Sequence, residues 1–350
     1  MHSEKRRGKP VKTDRTIKGA RRLTNDIAAL FERAYLAKQS EGLAPATLHR
    51  YSHAHSLFIQ FLDEKGVKRD IRYIDVDICR EFSTWLLENR IKHDGHKYKP
   101  DYIKTPGVSP RYANDIIKTL RTSFRVLMAD GLVNENPFEK VKNVKQPQKL
   151  INVLTAEELK ALLNAPDQRR YAEFRDYVAM VVMIDTMARV SEVLSLTVND
   201  VDLEAKEVVF KSEVTKTRRG RIVPIQNKTA RLLKELLIEV REFDSEYIFL
   251  SNYGEPLTPN NFRKRLLKYA EIAGIKKRVY PHLLRHSAAT IYLESGGNLR
   301  YLQAILGHVD QRMTSRYTHL SKTSVADNHE QYSAINQIFN KLNKPRKIKR

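Results

Sequence analysis

His282-Leu283-Leu284-Arg285-His286, then Leu306-Gly307-His308, then Tyr317, set imidazoles, an arginine and a tyrosine at short fixed offsets among apolar residues. Pro281 suits a first helical turn, where its missing N–H would have had no partner anyway. His282, Arg285 and His286 then fall at i, i+3 and i+4 and share one helix face. Leu284, Ala288 and Ile291 form the inner stripe, Gly296-Gly297 ends the helix, and a further helix is expected over 299–306. Alone, a His-x-x-Arg pattern marks no chemistry, because most such pairs are solvated helix residues.

Working upstream, helices are expected over 260–273 and 228–242. Glu207–Phe210 and Arg221–Ile225 are β-rich runs joined by a polar turn rich in Lys and Arg, so they read as part of a small antiparallel sheet. Tyr177–Leu196 is densely apolar and reads as one buried helix. Thr155 followed by Glu158 is a capping-box signature that opens a new domain. The N-terminal half reads as four helices. Their inner faces are Ile27, Leu30, Phe31, Ala34 and Tyr35; His55, Phe58, Ile59, Phe61 and Leu62; Ile78, Phe82, Trp85 and Leu86; and Ile116, Leu120, Phe124 and Leu127. Pro45 opens the second helix, and Gly131 closes the fourth. A polar loop over 91–109 is long enough to suggest mobility or function. The expected plan is a basic tail over 1–22, a helical domain over 23–140, a linker over 141–153, a mixed α+β domain over 154–330, and a C-terminal helix with a basic tail over 331–350. The fold class is mainly α with a small antiparallel sheet.

Lys and Arg number 63 against 41 Asp and Glu, a net charge of +22 in 350 residues. Such an excess speaks to partners rather than fold, and nucleic acid is the simplest polyanion. The single cysteine, Cys79, excludes an intramolecular disulfide framework. No run of ~18 apolar residues suggests a membrane span. The basic N-terminus lacks the apolar core of a secretory signal, so a cytoplasmic protein is expected.

Arg189 is anomalous because it interrupts an apolar run. It is either a helix-surface residue, a structural partner of Glu192, or an anion clamp whose fork suits phosphate. Lys216 lies in the basic turn, with Lys211 a competitor for any proton-donating role. Tyr317 is either packing or a nucleophile, and a nucleophilic phenol needs positive charge nearby. Neither a metal-ligand pattern nor a phosphate-binding Gly-rich loop accompanies these residues, so no metal and no other cofactor is expected.

Together, Met187–Leu196, Lys216 ahead of Arg221-Ile222-Val223-Pro224-Ile225, and the His282 and Leu306–Tyr317 blocks resemble the tyrosine recombinase (phage integrase) family. Ala44–Leu62 and Pro110–Pro137 are similar to its four-helix core-binding domain. One departure stands out: Met187-Ala188 occupies the place where the family commonly has Gly-Leu. The short stretch before residue 23 suggests a two-domain, Xer-like or Cre-like plan.

The resemblance implies that Arg189, Arg285 and His308 bind the scissile phosphate and that Tyr317 attacks phosphorus. Lys216 would protonate the leaving 5′-oxygen, His282 would assist proton transfer or hold the tyrosine, and Glu192 would orient its neighbours. It implies double-stranded DNA with specific recombination sites as partner, and integration, excision or resolution of mobile elements as outcome. The free protein would be a monomer or weak oligomer and the synaptic complex a homotetramer, with an accessory directionality protein as a further partner. Candidate DNA contacts are Arg50, Arg111, Arg219, Arg263, Lys264 and Arg265. A helix carrying Tyr332, Ile335, Ile338 and Phe339 would dock either on a neighbour or on its own domain. Two other readings remain: a type IB topoisomerase, and a catalytically silent DNA-binding protein.

Overall fold

The computed structural model describes residues 24–92, 95, 98–146, 152–212, 215 and 219–307. The expected basic tail, Lys216, His308, Tyr317 and the C-terminal helix lie outside these residues. The chain divides into two compact units between residues 149 and 150.

The first unit holds four helices: α1 (Ile27–Ser40), α2 (Pro45–Glu64), α3 (Val76–Glu88) and α4 (Pro110–Ala129). Each start has a local cause. Asp26, Asp75 and Ser109 accept from backbone N–H groups at the starts of α1, α3 and α4. Proline stands at the first position of α2 and α4. On α4, Ala113, Ile116, Ile117, Leu120, Phe124 and Leu127 are buried at helical spacing and face the core. That core is aromatic, with Phe58 and Phe82 meeting edge to face at 5.0 Å and 88°.

Two segments outside the helices are held by local contacts. Just ahead of the expected linker, a 3-10 turn, Pro137–Lys140, buries Phe138, and Val141, the first linker residue, is buried beside it. Asn114 holds the Val144 backbone with two hydrogen bonds, of 2.9 and 2.8 Å. The 91–109 loop is pinned at both ends. Ile91 bridges Pro106, and Gly107 (φ +76°) lies so close to the Leu87 carbonyl that a Cβ would sit 2.1 Å from it.

In the second unit, α5 (Ala156–Asn164) opens with the expected capping box of Thr155 and Glu158. Next come α6 (Tyr171–Thr186) and the short α7 (Val190–Leu194). A three-stranded antiparallel sheet follows, in the order β1 (Val201–Asp202), β2 (Glu207–Phe210) and β3 (Arg221–Pro224), with Val208 opposite Val223 and Phe210 opposite Arg221. The remaining helices are α8 (Asn227–Glu239), α9 (Pro259–Ile272), α10 (Pro281–Glu294) and α11 (Leu299–Leu306). Helix α6 is apolar nearly all round because it is central, packed against α8 and α10. The fold is therefore mainly α with one small sheet.

The expected single helix over Tyr177–Leu196 is broken. It stops at Thr186, Met187 takes a left-handed conformation (φ 50°), and a new helix starts at Val190. A left-handed L-residue costs roughly 1–2 kcal/mol. The Met187 side chain offsets this by packing with Ala288, Ala289, Leu302 and Leu306. That is the structural consequence of methionine where the resemblance leads one to expect glycine.

Candidate active site

The break positions Arg189. It caps α7 with extended backbone (φ −75°, ψ 150°), so its side chain leaves the apolar run rather than continuing a helix face. Its backbone N–H donates to Glu192 Oε2 at 2.9 Å and its Nη1 to Glu192 Oε1 at 2.7 Å. Glu192 is fully buried. From β3, Arg221 Nη2 donates to Glu192 Oε2 at 2.7 Å. Burial pushes the Glu192 carboxyl up, but hydrogen bonding and charge from Arg221, and then from Arg189, outweigh it and hold the group below the ordinary carboxylate value. Glu192 is thus an anion shared by two cations.

Arg221 also reaches the end of α11, its Nε donating to Ile305 O at 2.8 Å. The next carbonyl, Leu306 O, accepts from Arg285 Nη2 at 2.8 Å. Arg285 projects from α10 and is buried. The last two carbonyls of α11 are therefore held by two arginines, where a helix C-terminus favours cations. Helix α11 ends at Gly307 in a left-handed conformation (φ 62°), the residue before His308. Arg189, Glu192, Arg221 and Arg285 thus form one continuous network around this helix end. Beside it opens a cleft of about 330 Å³, with Arg219, Arg221, Arg300 and Gln303 among its lining. Arg221 Nη1 is buried without a hydrogen-bond partner among the described residues, so its charge leans on Glu192.

His282 is exposed in the first turn of α10. The rival lysine, Lys211, forms an ion pair with the buried Asp200 at 2.8 Å. Arg50, Arg111, Arg219, Arg263 and Lys264 are exposed. Arg265 is drawn inward, its Nε donating to the buried Asp176. Among the described residues no three His, Cys, Asp or Glu side chains cluster to hold a metal ion.

In the sequence Arg221 opens a β run of the basic hairpin and carries no role of its own. The signal that distinguishes it is the strand alternation: it lies on the same face as the buried Val223, while Ile222 between them is exposed. Asp176 and Arg175 carry the same signal as Arg189, charge inside an apolar helix.

The chain matches the phage integrase family over residues 152–324 and the phage integrase SAM-like domain over residues 28–144. It is 31% identical over 276 residues to tyrosine recombinase XerD of Listeria monocytogenes, covering 77% of this chain and 91% of that protein. Tyrosine recombinase XerC of Bacillus subtilis is 31% identical over 282 residues, covering 76% and 91%. In fold, the chain is similar to the Tn1549 transposon integrase in complex with transposon right end DNA, with a TM-score of 0.68 at 19% identity over 88% of this chain and all of that one. A lambda integrase dimer bound to a core site gives a TM-score of 0.61 at 19% identity, over 83% of this chain and 76% of that one.

Proposed function

This chain belongs to the phage integrase family of tyrosine recombinases, and from that premise we propose how it cleaves and rejoins DNA at specific sites. Arg189 and Arg285 hold the non-bridging oxygens of the scissile phosphate, joined by a hydrogen bond from His308. The Tyr317 hydroxyl oxygen attacks phosphorus as its proton departs, the P–O5′ bond breaks, and a 3′-phosphotyrosyl link forms. Lys216 delivers a proton to the leaving 5′-oxygen, and His282 assists proton movement. A 5′-hydroxyl from a second duplex then attacks the link, releases the tyrosine and completes the exchange. The link conserves the phosphodiester energy, so the strands rejoin without nucleotide hydrolysis.

The observation that carries these roles is the network at the end of α11. Arg189, through Glu192 and Arg221, and Arg285, directly, are both tied to the last turn of α11, which precedes His308 in the sequence. Fixed cations aimed at developing charge are commonly the largest catalytic contribution.

The partner is double-stranded DNA. Acting on DNA, the protein works in the cytoplasm and is nucleoid-associated when bound. Exchange between two sites, each bound by two protomers, makes the working assembly a homotetramer, while an accessory protein would set direction. Arg50, Arg111, Arg219, Arg263 and Lys264 are exposed and available to the DNA backbone.

The test is a nicked duplex carrying a candidate site, incubated with the full-length protein. A covalent protein–DNA adduct that disappears in Tyr317→Phe, while DNA binding persists, is expected. Adduct formation by Tyr317→Phe would remove Tyr317 as the nucleophile, and no adduct from the wild type on its cognate site would defeat the whole assignment.

A further inference from the structure

Arg221 has no role in the chemistry above, yet three of its contacts tie that chemistry together. Its Nη2 holds Glu192, its Nε holds Ile305 O, and its guanidinium lies over the Phe210 ring at 4.5 Å. Its side chain is 8% exposed, so it cannot serve as a general contact to the DNA surface. The turn it touches is shaped around it: a Cβ on Gly307 would sit 3.2 Å from Arg221 Cδ.

We propose that Arg221 is a positioning residue for strand cleavage: it locks Glu192 to the last turn of α11, so that Arg189 and the turn into His308 are presented to one phosphate together. This rests on the roles given above to Arg189, His308 and Tyr317. Two physical effects support it. The first is geometric. Arg189 belongs to the start of α7 and Ile305 to the end of α11, and Arg221 is the side chain that bonds to both Glu192 and Ile305. A misplacement on the order of 1 Å in such a site is enough to cost about 10²-fold in rate.

The second effect is electrostatic. Glu192 with Arg189 alone is a neutral pair, whereas Glu192 with Arg189 and Arg221 carries a net positive charge. Arg221 takes up part of the Glu192 charge and leaves more of the Arg189 field for the phosphate. It does so from behind, without needing to touch DNA.

The experiment uses full-length protein and the nicked site, read as the single-turnover rate of adduct formation at saturating DNA, with DNA affinity and thermal unfolding measured in parallel. Arg221→Met should slow adduct formation by about 10²-fold, with DNA affinity at the wild-type level. Arg221→Lys, which restores the charge but not the two-pronged link, should recover part of the loss. Combining Arg221→Met with Glu192→Gln should be little slower than the slower single variant, because both act through one contact.

Wild-type cleavage by Arg221→Met at saturating DNA would overturn the proposal. So would a defect confined to DNA affinity, a loss accounted for by the unfolded fraction, or multiplicative effects in the double variant. Should Arg221→Met not fold, Arg221→Lys decides: a slowed rate at unchanged affinity supports the proposal, and a wild-type rate defeats it. Absence of any adduct from the wild type would sink the underlying chemistry as well, whereas a normal wild type beside an unimpaired Arg221→Met removes only this role.

Discussion

Among the buried carboxylates of the second unit, Asp176 and Glu192 are used differently. Asp176 and Glu192 are both fully buried, and each accepts from two arginines. Around Asp176 the donors all point inward. Arg175 bonds it at 2.8 Å and also reaches Leu250 O, Arg265 bonds it from α9, and the Tyr269 hydroxyl donates at 2.7 Å. Burial, with the Asp176 charge, pushes the Tyr269 phenol up, so it remains a protonated donor. This cluster staples α6 to α9. Around Glu192 the donors belong to α7 and β3, and their chain ends on α11 beside Arg285. One cluster closes on itself, while the other ends where the sequence motif places its reactive groups. Two buried carboxylates with nearly the same ligands therefore separate into a fastener and an organiser according to what their arginines do next.

That contrast is tested most strongly by removing charge from each. Asp176→Asn leaves the Arg175 guanidinium buried without its counter-charge, and breaking a buried pair this way costs on the order of 3–5 kcal/mol of stability. Denaturant unfolding should show that loss, while the surviving folded protein cleaves normally at low temperature. Glu192→Gln should do the reverse, slowing adduct formation by roughly 10–100-fold, the scale for a group that orients a reacting residue, with a smaller loss of stability. Equal stability losses with unimpaired cleavage in both variants would erase the distinction.

The sequence disclosed those helix starts that have a local chemical cause. Thr155 with Glu158, and Pro45 and Pro281 at first positions, act within one turn and need no tertiary partner. The break at Met187 was not legible. Thr186, Met187 and Ala188 are ordinary in a helix, and what holds Met187 left-handed is packing against residues about a hundred positions later. Arg189 and Glu192 were legible as a pair, being three residues apart, but the third member was not. Arg221 reaches Glu192 across 29 positions, and only the two-residue period of its strand hinted that it faces inward.

The first unit extends the comparison, since its buried histidine has no ionic partner among the described residues. His55 stacks on Phe31 at 4.2 Å and shares a 2.7 Å hydrogen bond with Ser123. Burial lowers its pKa to about 4. Because the folded value lies below the unfolded one, this contribution is fully present above about pH 6.5 and is lost as pH falls through 4. Between pH 7 and pH 5 the first unit should lose about 2 kcal/mol from this residue. Trp85, the single tryptophan, is buried in that unit, so its fluorescence reports the unfolding. His55→Phe should flatten the pH response, and an unchanged response would show that His55 is not its source.

The smallest effect separates conformation from contact at two helix ends. Gly296, after α10, and Gly307, after α11, are both left-handed (φ 86° and 62°). A Cβ at Gly296 meets nothing within 4 Å, whereas one at Gly307 meets Arg221 at 3.2 Å. Alanine at either position carries the left-handed cost, about 1 kcal/mol. Asparagine tolerates this conformation better but still brings a Cβ. Gly296→Asn should therefore be nearly silent in both stability and adduct formation. Gly307→Asn should be close to silent in stability yet slow adduct formation, because it displaces Arg221 from the turn it shares with Ile305. If the two asparagine variants behave alike in cleavage, the Gly307 contact does not matter, and the Glu192 network ends at Arg221 rather than running on into the turn.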